Sequence, residues 1–163
     1  MEIRIGSGID VHGLKEGEEL IIGGIKIDSK YGIEGHSDGD LIIHALVDSI
    51  LGALALGDIG KHFPSSDKKW KNADSNIFLK FALKKMVSLG YKINNLDVTV
   101  VLQTPPIQSY NQDIRNNLSL LCNTEIDRIS LKATTTDKLG FLGRKEGIAA
   151  FATILLIKDE STN

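Results

Sequence analysis

The chain has 163 residues, of which 42% are hydrophobic and 25% are charged, and its formal net charge is −2. This composition is typical of one compact domain over residues 1–163, and it gives no sign of a general affinity for nucleic acid or an anionic membrane. Neither a bilayer-spanning apolar run nor a targeting segment is recognisable, so we expect a cytoplasmic protein. The single cysteine, Cys122, ends an apolar run and is expected to be a buried thiol.

The first forty residues predict two β elements and a loop. Residues 2–12 alternate as in a strand, and residues 19–28 are typical of a hairpin that turns at Gly23-Gly24. Residues 31–40 are rich in glycine and acidic side chains, which favours a loop.

A helix is predicted directly after this loop. Apolar side chains recur at helical spacing over residues 41–53, and Gly57 is placed to end the helix. Ser37 followed by Asp40 indicates an N-cap arrangement, with an acid in the first turn where the helix dipole favours it.

The remainder of the chain alternates helices with strands. Residues 58–73 are polar and irregular around a turn at 64–67, whereas residues 148–157 predict a strand that is apolar on both faces. The other predicted elements are a helix at 74–89, a strand at 96–103, a helix at 109–121, a strand at 129–133 and a loop at 134–146.

This alternation predicts an α/β fold, an α+β sandwich in which helices pack on one face of a small mixed β-sheet. The last strand needs cover on both of its faces. Either helices and loops or a second subunit could provide that cover.

Asp10 and His12 lie two residues apart on the first strand, so their side chains project to the same face of the sheet. His44 lies on the helix that follows. One carboxylate and two imidazoles with an open fourth position are the ligand set of a catalytic zinc rather than of a closed structural site. The alternative, that these histidines only form hydrogen bonds, stays open on the spacing alone.

Asp40, His44 and Asp48 are spaced by four residues and share one helix face. A carboxylate one turn from a ligating imidazole could accept its second N–H and fix its tautomer. We predict this supporting role for Asp48, whereas a solvated polar face is the alternative for Asp40.

A second group of chemically useful residues lies in the segment 134–144. Its hydroxyls, its backbone N–H groups, Lys138 and Arg144 could together bind phosphate oxygens. Asp137 fits among them if a hard cation such as Mg²⁺ bridges the carboxylate and the phosphates. The alternative is a β-branched strand end that runs into a capped turn. No Walker or Rossmann glycine pattern is present, which disfavours the ordinary nucleotide-binding folds.

These motifs belong to a series of unusual segments that spans almost the whole chain. The segments are Gly8-Ile9-Asp10-Val11-His12, Gly35-His36-Ser37-Asp38-Gly39-Asp40, His44-Ala45, Gly57-Asp58-Ile59-Gly60-Lys61-His62-Phe63-Pro64, Asp97-Val98-Thr99, Lys132-Ala133-Thr134-Thr135-Thr136, Leu139-Gly140-Phe141 and Gly143-Arg144-Lys145-Glu146-Gly147-Ile148-Ala149. In this order they resemble the 2-C-methyl-D-erythritol 2,4-cyclodiphosphate synthases, the cyclising enzymes of the non-mevalonate isoprenoid pathway.

The resemblance implies the substrate 4-diphosphocytidyl-2-C-methyl-D-erythritol 2-phosphate. Its 2-phosphate attacks the β-phosphorus of the diphosphate, which closes the cyclodiphosphate ring and releases CMP. The resemblance also implies a homotrimer with active sites between neighbouring subunits, one Zn²⁺ in each site, and Mg²⁺ or Mn²⁺ with the diphosphate. A further implied partner is an isoprenoid diphosphate in the central cavity of the trimer.

The resemblance also assigns roles to individual residues. Asp10, His12 and His44 match the zinc ligands, and His36 with Thr135 match the pair that stabilises the transition state. Asp137 matches the magnesium position, where the family commonly has Glu. The residues in segments that match substrate contacts are Asp10, His12, His36, Ser37, Asp58, Ile59, Gly60, Phe63, Pro64, Ser65, Ser66, Asp67, Leu102, Gln103, Thr104, Pro105, Pro106, Ile107, Gln108, Thr134, Thr135, Thr136, Asp137, Phe141 and Arg144.

Some roles and two other functions stay open. Pro106 stands where a lysine often follows the first proline of the cytidine loop, so that lysine contact is not expected here. For Arg144, which with Glu146 resembles the lining of the central cavity, substrate-side, cavity and structural roles all stay open. A zinc-dependent phosphohydrolase would release inorganic phosphate instead of CMP alone. A non-catalytic isoprenoid-diphosphate-binding trimer is disfavoured because all three metal ligands and Thr135 are present.

Overall fold

A computed structural model describes residues 2–34, 39–70 and 73–158 of the chain. Its strands are β1 (Ile3–Glu16), β2 (Leu20–Ile22), β3 (Ile25–Ile27), β4 (Tyr31–Glu34), β5 (Tyr91–Val101), β6 (Ile129–Thr134) and β7 (Gly147–Lys158). Five of them form one sheet in the order β4-β1-β7-β5-β6, and β2 pairs with β3 in a separate hairpin. Neighbouring strands of the sheet are antiparallel, except that β5 and β6 are parallel.

The helices pack against this sheet and against each other. They are α1 (Leu41–Ala53), α2 (Ile59–His62), α3 (Ser75–Ser88), α4 (Asn111–Cys122) and α5 (Gly140–Gly143). The central helix α1 contacts both β1 and β7, α3 contacts α1, and α4 contacts β6. The predicted combination of a mixed sheet with packed helices is therefore confirmed. In the described ranges, no helix has the length and apolar character needed to cross a membrane.

Two glycines of β1 allow α1 to lie directly on the strand. A Cβ atom at Gly6 would lie 1.9 Å from the carbonyl oxygen of Ser49, and one at Gly8 would lie 2.0 Å from that of Ala45. Such contacts are far below van der Waals distance, so any larger residue would push the helix away. The helix backbone therefore sits close to the same face of β1 on which residue 10 follows.

The start of α1 is fixed by a buried carboxylate. Asp40 is 1% exposed, and its side chain accepts hydrogen bonds from the backbone N–H groups of Gly23, Gly24 and Ile43. The bond to Ile43 caps the helix, whereas the bonds to the two glycines hold the tip of the β2–β3 hairpin against it. One side chain thus joins the hairpin to the central helix.

This arrangement corrects the prediction for the start of α1. Asp40 itself is the N-cap, and the first turn of the helix contains no acidic residue. Asp40 is therefore not part of a solvated helix face, because all of its side chain is enclosed by backbone donors. Ser37, the other residue of the predicted cap, lies outside the described residues.

Three predicted loops contain regular structure. Residues within 31–40 form β4 because β1 continues to Glu16, beyond its predicted end, and pairs with Tyr31–Glu34. The segment predicted as irregular contains α2, and the predicted loop at 134–146 contains α5. The strand β5 begins at Tyr91 rather than at residue 96, because Tyr91 pairs with Lys158 at the end of β7.

The sheet face opposite α1 carries apolar side chains that residues 2–34, 39–70 and 73–158 leave exposed. Ile5 is 68% exposed, Ile9 is 58% exposed and Phe151 is 44% exposed. Ile9 pairs with Phe151 across β1 and β7, so these side chains form one continuous patch. The predicted last strand, apolar on both faces, is thus covered by α1 on one face only.

The only cysteine of the chain is buried, as expected. Cys122 ends α4 within the hydrophobic core. Burial raises the pKa of its thiol to about 12. The thiol is therefore uncharged at neutral pH and is a poor nucleophile.

We predict that Asp40→Ala lowers the free energy of unfolding by about 2–4 kcal/mol, because the helix cap is lost and buried N–H groups lose their acceptor. The matched control is Asp74→Ala, which removes the exposed cap of α3 and should cost about 1 kcal/mol. Urea unfolding at equal protein concentration measures both. Equal costs for the two variants would contradict the joining role of Asp40.

Candidate metal centre

The structure brings Asp10, His12 and His44 together. Asp10 and His12 project from β1 toward α1, and His44 projects from the first turns of α1 toward the strand. Asp10 Oδ2 lies 2.8 Å from His12 Nε2 and 3.1 Å from His44 Nδ1. One ligand atom from each residue lies within 4.8 Å of the others. Tetrahedral zinc separates its ligand atoms by roughly 3.3 Å, so small side-chain shifts would complete such a site.

The polar atoms of this group fit a bound cation. His12 Nε2 is buried and makes no hydrogen bond of acceptable geometry, although the carboxylate oxygen is close. Burial acts to raise the pKa of Asp10, but the imidazoles of His12 and His44 outweigh it and hold that pKa below its usual range. The carboxylate is therefore ionised at neutral pH and can serve as a ligand. Within the ranges that the structure describes, no other group of His, Cys, Asp or Glu side chains offers such a cluster.

The far side of the His44 ring faces α3. Ser75 Oγ lies 2.9 Å from His44 Nε2, and the ring of Phe78 lies 6.0 Å from the imidazole between centroids. Ser75 is not among the site residues predicted from the sequence. Its position directly after Asp74, a residue suited to capping a helix, was the available signal, but nothing in the sequence relates that helix start to His44.

The partner predicted for His44 has another role. Asp48 Oδ1 accepts a hydrogen bond of 2.7 Å from the backbone N–H of Ile59, the first residue of α2. Burial raises the pKa of Asp48, and this N–H group acts against the shift. Asp48 therefore fastens α2 to α1, whereas Ser75 occupies the position next to the second imidazole nitrogen of His44.

The segment after α1 contains the first stretch that resembles a substrate contact. Asp58 caps α2 by accepting a 2.8 Å hydrogen bond from the backbone N–H of Lys61. Phe63 packs among aromatic rings, with centroid distances of 4.7 Å to Phe78 and 4.9 Å to Trp70. Phe78 is the same ring that contacts His44. The aromatic rings thus connect the 63–70 segment to the metal centre.

The second group of predicted site residues also lies together, but its members contact one another and not the Asp-His-His cluster. Leu102 N–H donates to the carbonyl of Thr134 at 3.0 Å, and Lys138 N–H donates to Gln103 Oε1 at 3.2 Å. Thr135 Oγ1 accepts a 3.2 Å hydrogen bond from the backbone N–H of Asp137. The segments 102–108 and 134–138 therefore form one loop pair at the ends of the parallel strands β5 and β6, in which Leu102 and Ile107 are buried and most of 134–138 is exposed.

This loop pair begins at the ends of β5 and β6, which lie two and three strands away from β1 in the sheet. Asp10 pairs with Ala150, Ala150 pairs with Val100, and Val100 pairs with Ala133, so all four residues form one row across the sheet. Three strand spacings separate Asp10 from Ala133 along this row, about 14 Å. The structure thus divides the predicted site residues into two groups within one chain.

Two further predicted residues, Phe141 and Arg144, lie on α5 and directly after it. Arg144 forms a two-pronged contact with Glu146, at 2.8 and 3.0 Å, which raises the pKa of Arg144 and lowers that of Glu146. Phe141 lies on α5 and is partly exposed. His36, like Ser37, lies outside the described residues.

A mixed sheet that holds an Asp-His-His cluster against its central helix defines the class, an α/β protein with a candidate metal site. Comparison with known proteins gives the family: the YgbB family matches residues 3–157, and the chain belongs to that family. The resemblance inferred from the sequence is thereby confirmed.

Individual relatives cover nearly the whole chain. A protein of Clostridioides difficile (strain 630), named 2-C-methyl-D-erythritol 2,4-cyclodiphosphate synthase, is 50% identical over 161 residues, which are 99% of this chain and 100% of the relative. The structure of IspF from Plasmodium falciparum in complex with CDP is 41% identical, covers 97% of each chain and superposes with a TM-score of 0.87. The bifunctional IspDF of Campylobacter jejuni, 41% identical, superposes with a TM-score of 0.94 over 99% of this chain, which spans 44% of that protein.

We predict that Asp48→Ala increases amide hydrogen exchange at Ile59 by about tenfold, because a hydrogen bond to a charged acceptor is lost. Asp48→Asn keeps an acceptor oxygen and should change this rate much less. The exchange rate is measured by NMR in both variants. Equal protection in the wild type and in Asp48→Ala would show that Asp48 does not hold α2.

Proposed function

We propose that the chain is a cyclising phosphorus-oxygen lyase that converts 4-diphosphocytidyl-2-C-methyl-D-erythritol 2-phosphate to 2-C-methyl-D-erythritol 2,4-cyclodiphosphate and CMP. The observation that carries this proposal is the match of nearly the full chain to synthases of that name, together with the intact Asp10, His12 and His44 cluster. The product belongs to isoprenoid precursor biosynthesis.

The chemistry suits a site that mainly positions charges. An oxygen of the 2-phosphate attacks the β-phosphorus while the bond from that phosphorus to the bridging oxygen of CMP breaks, so CMP leaves with the bridging oxygen. Nucleophile and leaving group belong to one molecule, and the protein's main task is to hold the chain of the substrate folded and to exclude water. The 2-phosphate is already ionised near neutral pH, so no general base is required.

We assign the metal of the Asp10, His12 and His44 cluster as zinc, because one carboxylate and two imidazoles with an open position are typical of catalytic zinc. When bound, such an ion acts as a Lewis acid and a template for phosphate oxygens. His12 would bind it through Nε2 and His44 through Nδ1, the atoms that face Asp10.

A second cation, Mg²⁺ or Mn²⁺, is proposed at Asp137. The carboxylate is exposed at a loop where Asp137 and Lys138 have left-handed backbone conformations, with φ of 51° and 68°. Backbone N–H groups and the Thr135 hydroxyl lie beside it. A carboxylate among phosphate-binding groups is favourable only when a cation neutralises it.

The proposed assembly is a homotrimer with active sites between subunits. Its first support is the exposed apolar patch of Ile5, Ile9 and Phe151, which is costly to leave in water. Its second support is the origin of the loop pair at the ends of β5 and β6, with about 14 Å between Asp10 on β1 and Ala133 on β6. A neighbouring subunit can supply that loop pair.

Within this assembly, the remaining site residues keep the roles that the family resemblance implies. His36 and Thr135 would donate hydrogen bonds to the charge that develops in the transition state. Asp58 to Gly60 and Phe63 to Asp67 would contact the methylerythritol and phosphate portions. The 102–108 and 134–138 segments would hold cytidine and the diphosphate, consistent with the CDP that the Plasmodium falciparum relative binds. An isoprenoid diphosphate is proposed in the central cavity.

We predict that His44→Ala lowers cyclisation by at least about 100-fold and removes bound zinc, because one of three protein ligands is lost. The matched control is His62→Ala, since His62 contacts the carbonyl of Leu56 and is not part of the cluster. ³¹P NMR follows the products, and elemental analysis measures zinc. Full activity of His44→Ala would refute the ligand assignment, and release of inorganic phosphate by the wild type would indicate a phosphohydrolase instead.

The shared active site predicts complementation between inactive chains. His44→Ala and Thr135→Ala should each be inactive alone, but a refolded equimolar mixture should contain intact sites at about one quarter of its interfaces. The measured quantity is CMP release before and after mixing, with analytical ultracentrifugation of each sample as the control for assembly. No recovery from two well-assembled variants would place Thr135 in the same site as the His44 of its own chain.

A further inference from the structure

We propose that Ser75 is a positioning residue whose hydroxyl can partner Nε2 of His44 in both neutral tautomers of the imidazole, the one expected without a metal ion and the one that would bind it. The inference rests on the proposed metal centre. It concerns a residue of α3 that is neither a ligand nor a part of the loops that resemble substrate contacts.

The geometry gives the two nitrogens of His44 different partners. Nδ1 lies 3.1 Å from Asp10 Oδ2, and Nε2 lies 2.9 Å from Ser75 Oγ. A neutral imidazole carries one N–H, so one nitrogen must donate while the other accepts. Asp10 is ionised and can only accept. Without a metal, the favoured arrangement is therefore Nδ1–H donating to Asp10 and the Ser75 hydroxyl donating to Nε2.

Metal binding reverses these roles. A cation held by Asp10 and His44 would need the lone pair of Nδ1, so the N–H of the neutral imidazole would then be at Nε2. That Nε2–H group would donate to Ser75 Oγ. A hydroxyl fits both states because it can turn from donor to acceptor, whereas a carboxylate or a backbone carbonyl at this position could only accept.

The position of Ser75 in α3 supports this role. Ser75 is 1% exposed and is the first residue of the helix, whose cap is the preceding Asp74. Asp74 satisfies the backbone of Asn76, so the capping of α3 does not depend on the Ser75 hydroxyl. One turn later, Phe78 contacts the His44 ring. The first turn of α3 thus supports the imidazole by a hydrogen bond and by a ring contact.

A purely structural role would make Ser75 an ordinary buried hydroxyl with a partner. The two roles differ in their effect on zinc affinity. The removal of a purely structural hydroxyl would affect stability but not zinc affinity, whereas the removal of a positioning hydroxyl would lower both. Ser49 offers the matched control, because it is equally buried, lies on α1 with His44, and donates to the carbonyl of Leu46 away from the cluster.

The test measures the imidazole nitrogens and zinc affinity without any enzyme assay. In wild-type protein labelled with ¹⁵N-histidine, we expect the Nδ1–H tautomer of His44 without metal and the Nε2–H tautomer with zinc. Ser75→Ala should lower zinc affinity about 10–100-fold in competition with a chelator, whereas Ser49→Ala should leave it within about twofold. Ser75→Thr, which keeps the hydroxyl, should restore most of the affinity.

An unchanged tautomer on zinc binding, or equal zinc affinity of Ser75→Ala and the wild type, would overturn the proposal. The tautomer measurement uses only the wild type and tests binding of the metal through Nδ1, whereas the comparison of Ser75→Ala with the folded, hydroxyl-bearing Ser75→Thr tests the role of the hydroxyl. A different result, zinc retained by His44→Ala, would show that the proposed metal centre itself is wrong. Loss of zinc in His44→Ala with normal affinity in Ser75→Ala would sink only the role of Ser75.

Discussion

Helix α1 lies directly on the backbone of β1 because Gly6 and Gly8 have no side chains, and this close approach sets the position of His44 relative to Asp10 and His12. The metal centre therefore depends on two residues that take no part in it. Asp40 fixes the same helix at its start by binding the hairpin tip. Ligands from two elements can converge within a few ångströms only because the packing between those elements leaves no room for adjustment.

Much of the metal centre could be predicted because it depends on local geometry. A two-residue spacing on a strand places Asp10 and His12 on one face, and apolar spacing places His44 on a helix. The elements that escaped prediction are short or lie in segments with loop-like composition. β4 exists only because β1 extends to Glu16 and pairs with it, and α2 is held by Asp48 from another helix. These contacts are tertiary interactions, and the pattern of residues along the sequence does not specify them.

The residues around His44 were also difficult to predict, because their contacts depend on the tertiary structure. Spacing along α1 made Asp40 and Asp48 the natural partners of His44, yet the first binds the hairpin and the second binds α2. The residue beside His44 Nε2, Ser75, comes from a helix that begins 31 positions later. The two groups of predicted site residues also proved to be separate within one chain, which became visible only from the register of four strands. The type of each functional side chain could be predicted from the sequence, but its contact partners could not.

The donor set of the metal centre has a consequence for oxidative stress. Zinc sites built on thiolates lose their ion when oxidants attack the sulfur, but this cluster has only oxygen and nitrogen donors. The single sulfhydryl of the chain is enclosed in the core, and its pKa of about 12 keeps it protonated. Peroxides that react with thiolates therefore find no target in this cluster. Thiol oxidation in the surroundings would leave the donor set, and any metal held by it, unchanged.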